Sequence, residues 1–473
     1  MKKVILNLLF IASFITILGV PGSTLANFNT GEDQPPNILI ISVDNMGYGD
    51  FSVFNKESPI ITPNIDRLAS QGAKLTDFYT ASPTCTASRA ALLTGRIPQR
   101  NKLDYQLVGI PGNHGIGLPH SEIIIPQIVK ESSVDYATGA FGKWNLGFAP
   151  GSRPTERGFD EFLGHASGNI DHFSHVYAGK HDLYHNTESI NRHGEYSSNL
   201  WADSAIDFIQ NNTKQSKPWF VYLPFDAPHH PGDRNINPGE PNIWKAPDSA
   251  FEPYGLSPDE EDPKKRFNAV VTAMDAAVGQ VLNSLDSLNI FENTFVFFFS
   301  DNGAFYPYIN ADIQSNIPFR GAGVTLWEGG IHIPAIVRWP GKVEANSEIN
   351  TRVWTPDLFV AISKLSGGKL PQDRFIDGKN PLPALTGQNE TSPHATLPFK
   401  YRDHSALIWG DYKIVREDPE DEWQLFNIEE DISESNNLAS ELPDLVQKLE
   451  IPFRHKMDEI ENYLLREAER LDL

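Results

Sequence analysis

The sequence predicts an α/β fold, a large, mostly parallel sheet between helix layers, followed by a smaller C-terminal subdomain of antiparallel strands plus a helix. Three observations carry that reading. Four apolar runs are continuous rather than alternating, so both faces of each strand are covered, as happens when helices pack on either side of a parallel sheet. Segments with helical apolar spacing fall between those runs. After about Ile376 the pattern changes to short alternating strands and one long charged amphipathic stretch.

The elements follow in order. Residues 1–26 open with Lys2-Lys3, run apolar from Val4 to about Val20 and end on small residues at Ser23, Thr24 and Ala26, the layout of a secretory signal peptide. The apolar run is short for a membrane span, so no stable membrane insertion is expected and the mature chain is read as periplasmic or secreted. Residues 27–376 form the expected main domain. Its strands are Asn37–Val43 ending in Asp44-Asn45, Tyr136–Gly142 ending in Lys143, Trp219–Leu223 leading to His229-His230, and Thr294–Ser300 ending in Asp301-Asn302. Thr62 as cap, Pro63 in the first turn and Gly72 past the end delimit one helix; Asn199–Gln210 and Pro263–Leu288 read as two more. The last carries an apolar stripe of Phe267, Val270, Val271, Met274, Val278 and Val281. Residues 377–473 form the expected C-terminal subdomain, with strands over Ser405–Val415 and Glu422–Ile428 and a helix over Asp444–Leu471.

With 40% hydrophobic residues, 35 Gly and 35 Pro, the 473-residue chain is globular and rich in loops. Its formal net charge of -22, from 39 basic and 61 acidic residues, excludes nucleic acid as a partner class. In α/β folds the ligand site lies beyond the carboxyl ends of the strands, and here those ends carry the reactive side chains.

Cys85 is the single cysteine, so it forms no disulfide within the chain. Ser82-Pro83-Thr84 reads as a turn and Ala90-Ala91-Leu92-Leu93 as helix, which puts Cys85 at a helix N-terminus, where free N–H groups favour negative charge. Arg89 follows one helical turn later on the same face, making an expected anion site. Its neighbours Thr, Ser and Arg argue against a cysteine buried as a small hydrophobe. A thiolate phosphatase loop needs a longer gap between Cys and Arg. Export of a lone thiol to an oxidising compartment is also unfavourable unless the thiol is converted.

Asp44-Asn45 and Asp301-Asn302 are paired oxygen donors at equivalent strand ends. One such pair usually caps a turn. Two point to a divalent cation held by oxygen, Ca2+ first and Mg2+ second, over zinc. His165, Asp171, His172 and His175 cluster in a spacing that suits no zinc template, so they are read as a substrate-facing loop.

Cys85-Thr86-Ala87-Ser88-Arg89 followed by Leu93-Thr94-Gly95-Arg96 resembles the signature of the type I sulfatases, of alkaline-phosphatase-like fold. Supporting segments span most of the chain: Val43–Asp50, Gly142–Gly147, Ala227–Pro231, Ser300–Ala304 and Phe319–Gly330. The resemblance implies formylglycine made from Cys85 by a maturation enzyme, a metal site of Asp44, Asn45, Cys85, Asp301 and Asn302, and Arg89 and Lys143 as charge-stabilising residues. It maps the family's catalytic histidine onto His229, expected to protonate the leaving alcohol.

Three positions depart from the family pattern. Asn45 stands for an aspartate and should weaken the metal site; Asn145 stands for a histidine and can hydrogen-bond but not take a proton; Gly323 stands for a sulfate-binding lysine. Arg320 or His332 is expected to compensate at Gly323. Asn145, His172 and Arg320 are thus the expected substrate-binding residues. The expected activity is hydrolysis of sulfate esters on a sulfated polysaccharide or its oligosaccharides, an algal galactan such as carrageenan, or ulvan. A phosphate or phosphonate ester hydrolase of the same superfamily and a degenerate sulfated-glycan-binding homologue are the alternatives.

Overall fold

The computed structural model describes residues 35–108, 117–231 and 243–471; the expected signal segment 1–26 lies outside the described residues. Asn37–Val43 is the centre of a ten-stranded sheet. It pairs in parallel with Thr294–Ser300 on one side and Trp219–Pro224 on the other. Ala137–Lys143 and then Glu161–His165 continue the parallel order outward. Ala335–Arg338 joins antiparallel to Thr294–Ser300 on the opposite side.

Continuous apolar sequence in these strands corresponds to burial on both faces. Leu39, Ile41, Val43, Val221, Leu223, Val296 and Phe298 face a layer that includes Phe267, Val270, Met274 and Val278 of helix Pro263–Ser287 and Leu200 and Trp201 of helix Ser197–Lys214. Ile38, Ile40, Phe220, Tyr222, Phe295, Phe297 and Phe299 face the other layer, with Leu92 and Leu93 of helix Cys85–Thr94 and Leu358, Phe359 and Ile362 of helix Asp357–Ser366. The alternation along each strand is therefore between two apolar surroundings, which is why none shows in the hydropathy.

Register brings the reactive ends together. Val43 lies opposite Ser300 and Ser42 opposite Pro224. Asp44 and Asp301 thus leave the sheet side by side, and the Asp301 N–H donates to the Val43 carbonyl at 3.0 Å.

The helix after Thr62 runs Pro63–Gln71 as its end signals predict, but Gly72 serves another purpose than a left-handed cap. Its φ is -138°, and a Cβ there would sit 2.2 Å from the Val337 carbonyl oxygen. Close backbone approach, and not a positive φ, requires the glycine. Helix Pro263–Ser287 is capped by Asp262, whose carboxylate accepts from Lys264 N–H.

In the C-terminal region the expected strand Ser405–Val415 is two strands, His404–Trp409 and Tyr412–Arg416, reversing at Gly410 with φ 58°. With Thr396–Tyr401 and Gln424–Asn427 they form a separate four-stranded antiparallel sheet. Helix Pro443–Leu471 lays Leu449 and Phe453 against Leu407, Ile414 and Leu425 of that sheet. The fully buried Lys413 ammonium bridges Glu328 at 2.7 Å and Glu434 at 2.8 Å, tying this sheet to helix Glu328–Ile331. No helix among the described residues is long and apolar enough to cross a membrane.

Candidate active site

Cys85 is the first residue of helix Cys85–Thr94, after Thr84 in extended conformation, and all ten helix residues are buried. Its Sγ lies 3.3 Å from Asp44 Oδ1 and 3.5 Å from Asn45 Oδ1. Burial first, and then the Asp44 charge, push the thiol well above its ordinary range. The helix terminus and nearby cations do not overcome this, so the unconverted side chain is a thiol and not a thiolate nucleophile. Arg89 also differs from expectation. Its guanidinium grips Asp301 Oδ2 through Nε at 3.1 Å and Nη2 at 2.8 Å, and donates from Nη1 to the Lys143 carbonyl and the Tyr222 hydroxyl. It braces a carboxylate of the site instead of reaching the thiol.

The two Asp-Asn pairs converge as one set of oxygen donors. Lys143 Nζ holds Asp44 Oδ2 at 2.6 Å and Arg89 holds Asp301 Oδ2, which leaves the two Oδ1 atoms on the inner side, one against Cys85 and one accepting the Asn45 N–H at 3.2 Å. Asn302 Nδ2 donates to Asn45 Oδ1 at 2.6 Å, while the buried Asn302 Oδ1 has no hydrogen-bond partner among the described residues. Burial pushes the Asp44 and Asp301 carboxyls upward, with Asp44's charge adding to the effect at Asp301. An orphaned acceptor beside clustered carboxyl and amide oxygens fits a hard divalent cation. Asn45 sits at φ 61°, a left-handed conformation that Asn and Asp tolerate better than most residues.

Lys143 is fully buried. Burial is the largest influence and favours its neutral form, but the acidic groups around it, Asp44 first, together raise the ammonium above its ordinary range. The strand ends here, and Asn145 turns to a left-handed φ of 55°. Asn145 Oδ1 accepts from Thr86 Oγ1 at 2.9 Å and Gln106 Nε2 at 3.0 Å, and Gln106 Oε1 accepts the Thr86 N–H. This amide therefore fastens the residue next to Cys85 to the loop bearing Lys143.

His229 follows the Trp219–Pro224 strand on a loop whose Asp226 carbonyl accepts its N–H. A ring nitrogen of His229, a carboxylate oxygen of Asp44 and Cys85 Sγ all lie within 4.8 Å of one another. His229 Nδ1 donates to the His230 carbonyl at 3.0 Å, which leaves the lone pair of the neutral ring on Nε2. Burial, then Lys143, depress this imidazole to about 3. Asn169 Nδ2 holds the loop from the side, 2.9 Å from the His230 carbonyl and 3.1 Å from His229 Nδ1.

His172 and Arg320 both take partners within the chain. His172 is buried with its Nε2 3.7 Å from Asp226 Oδ2, because the carboxylate of Asp226 draws it and His165 inward; Asp171 is engaged by Lys245. These residues form a buried polar cluster, not a substrate-facing loop. The segment from Asp171 to Tyr196 carries short strands, of which Tyr184–His185 and Glu188–Ser189 extend the main sheet.

Arg320 is exposed, stacks on Trp327 at 3.7 Å and donates to the carbonyl of Glu434 in the C-terminal region. His332 is held between Glu328 Oε2 at 2.9 Å and the Thr76 carbonyl at 2.8 Å. Both side chains thus have partners within the chain away from Gly323. What occupies that place is the Phe305 ring: a Cβ on Gly323 would fall 2.1 Å from Phe305 Cδ1. Gln106, Asn169 and Phe305 belong to no recognisable motif, and their roles come from contacts between segments distant in sequence.

The family profile described as "Sulfatase" matches residues 36–368. The chain is 35% identical over 408 residues to N-acetylgalactosamine-6-sulfatase of Canis lupus familiaris, covering 81% of this chain and 72% of that protein. It is 29% identical over 447 residues to steryl-sulfatase of Homo sapiens, covering 77% and 72%. Among solved structures it resembles Ps i-CgsB in complex with k-i-k-neocarrahexaose, at a TM-score of 0.78, 29% identity and coverage of 90% of this chain and 92% of that one.

Proposed function

We propose, for a chain that belongs to the sulfatase family and is a sulfuric ester hydrolase, that its substrate is a sulfated polysaccharide or its oligosaccharides, with an algal galactan of the carrageenan type first and ulvan second. The observation that carries the substrate class is the likeness, over 90% of the chain, to a structure holding a neocarrahexaose. The likeness to an N-acetylgalactosamine-6-sulfatase supports a sugar of galacto configuration as well. The reading includes a signal peptide at 1–26, a catalytic domain at 27–376, a C-terminal subdomain at 377–473, periplasmic or secreted location, and a maturation enzyme acting on Cys85.

Hydrated formylglycine at position 85 would supply the attacking hydroxyl, and a Ca2+ held by Asp44, Asn45, the converted residue 85, Asp301 and Asn302 would supply positive charge to the sulfuryl oxygens. The chain's own residues do the rest. Lys143 places an ammonium beside the reacting atoms, where low dielectric strengthens its hold on developing negative charge. Arg89 fixes Asp301 and the Lys143 backbone, so those groups are preorganised. Burial and Lys143 keep His229 neutral in the free enzyme; the negative charge of a bound ester would favour protonation of Nε2, which would then pass the proton to the leaving oxygen.

His229→Ala is expected to lower kcat on a sugar sulfate by roughly two to four orders of magnitude. The loss should shrink on nitrophenyl sulfate, whose leaving group needs little protonation. Equal losses on the two substrates would remove the histidine from that role. The substrate class is tested by sulfate release across carrageenans, ulvan and animal sulfated glycans beside a simple aryl sulfate. One polymer type should exceed the aryl ester by a wide margin, and an aryl sulfate as best substrate overturns the reading.

A further inference from the structure

Phe305 lies on the segment that leaves the sheet through Asp301 and Asn302, and its backbone bridges in parallel to Gly323. The Gly323 N–H donates to the Ala304 carbonyl at 2.8 Å. The Phe305 ring covers Gly323 so closely that a Cβ there would meet Cδ1 at 2.1 Å and Cε1 at 2.2 Å. The ring meets His229 edge to face, with centroids 6.4 Å apart and planes at 84°. It is half-buried, packed in part against the main core.

The next residue past Gly323 extends this apolar edge. Val324 has φ 68°, a region that a β-branched side chain adopts only under constraint, yet its side chain is 40% exposed. Its N–H donates to the Pro83 carbonyl at 2.9 Å, which fastens it to the turn before Cys85. A half-buried phenylalanine thus covers Gly323 and meets His229, and the strained, exposed valine that follows Gly323 is fastened to the Cys85 turn.

We infer that Phe305, with Val324 beside it, is the specificity-determining wall on the leaving-group side of the site, and that it receives the apolar C–H face of the sugar ring bearing the ester. The inference rests on the proposed glycan substrate and names what selects it. A pyranose has a polar rim and apolar C–H faces, and a flat aromatic ring beside the leaving oxygen complements such a face at little entropic cost. Gly323 contributes no cation, so this wall adds little to binding of the sulfate group itself and acts through the carbon skeleton.

The test compares wild type with Phe305→Ala, Phe305→Leu and Gly323→Ala on the preferred sulfated oligosaccharide, with inorganic sulfate as the inhibitor that lacks a leaving group. Phe305→Ala should raise KM for the oligosaccharide by roughly tenfold to a hundredfold with a smaller change in kcat, the scale of one lost aromatic stack. The inhibition constant of sulfate should stay within about twofold, because the sulfate pocket is intact. Phe305→Leu keeps the apolar volume without the flat face and should show most of the KM defect. Gly323→Ala should reproduce it by displacing the ring, with the sulfate inhibition constant reporting any accompanying shift of the Gly303 carbonyl, which the new Cβ would approach to 2.9 Å. Unchanged KM in Phe305→Ala, sulfate inhibition weakening in step with KM, or wild-type KM in Phe305→Leu overturns the wall. Wild type that cleaves an aryl sulfate but no glycan overturns the substrate reading and the wall together, whereas glycan turnover indifferent to Phe305 overturns the wall alone.

Discussion

Cys85→Ala abolishes sulfate ester hydrolysis, an expected fall of roughly five orders of magnitude or more, the scale on which removal of a covalent nucleophile acts. Burial and Asp44 hold the unconverted thiol protonated, so the native cysteine has little reactivity to contribute by itself. The same geometry leads to a second expectation. Protein produced without the maturation enzyme should fold normally, since the thiol is already accommodated at 3.3 Å from Asp44, and yet be inactive. Peptide mass spectrometry on the segment around Cys85, paired with initial rates, checks both. Fully active protein whose peptide carries only the unmodified thiol would sink the formylglycine assignment.

Complete removal of divalent metal should lower kcat/KM by about three orders of magnitude or more, since the cation is asked for several kcal/mol of charge stabilisation and each 1.36 kcal/mol is tenfold. Ca2+ should restore the rate more fully than Mg2+, because the site offers carboxyl and amide oxygens with no preset octahedron. Asn45→Asp sharpens the test. Aspartate accepts the left-handed backbone at φ 61°, so the substitution adds charge without strain. It should tighten Ca2+ binding and enlarge the Ca2+-induced rise in Tm. In metal-free protein it should lower Tm, because a third carboxylate joins Asp44 and Asp301 with no cation to offset it. A chelated enzyme at full rate, or an Asn45→Asp protein whose Tm ignores Ca2+, removes the metal from this site.

How much of this was legible in the chain depends on whether each property belongs to a segment or to a meeting of segments. Continuous apolar character in Asn37–Val43 and Thr294–Ser300 records burial on both faces, so those strands, their parallel sheet and their polar carboxyl ends could be read one segment at a time. Cys85 at a helix start, and Pro63 and Pro263 in first helical turns, are equally local. Convergence of Asp44, Lys143, His229 and Asp301 follows from parallel order, since parallel strands bring all their carboxyl ends to one edge.

Side-chain partners were another matter, because a cation or imidazole goes to whichever carboxylate, carbonyl or ring the fold brings nearest. Arg89 turned to Asp301, Arg320 to Trp327 and the Glu434 carbonyl, and His172 to Asp226. Gly323 shows the limit most clearly. Sequence alone marks a missing side chain, and only the packed structure reveals that the space belongs to Phe305, eighteen residues earlier, whose ring excludes any side chain there. Steric exclusion between distant segments leaves no local trace in composition or period, so tertiary structure alone decided what lines this side of the site.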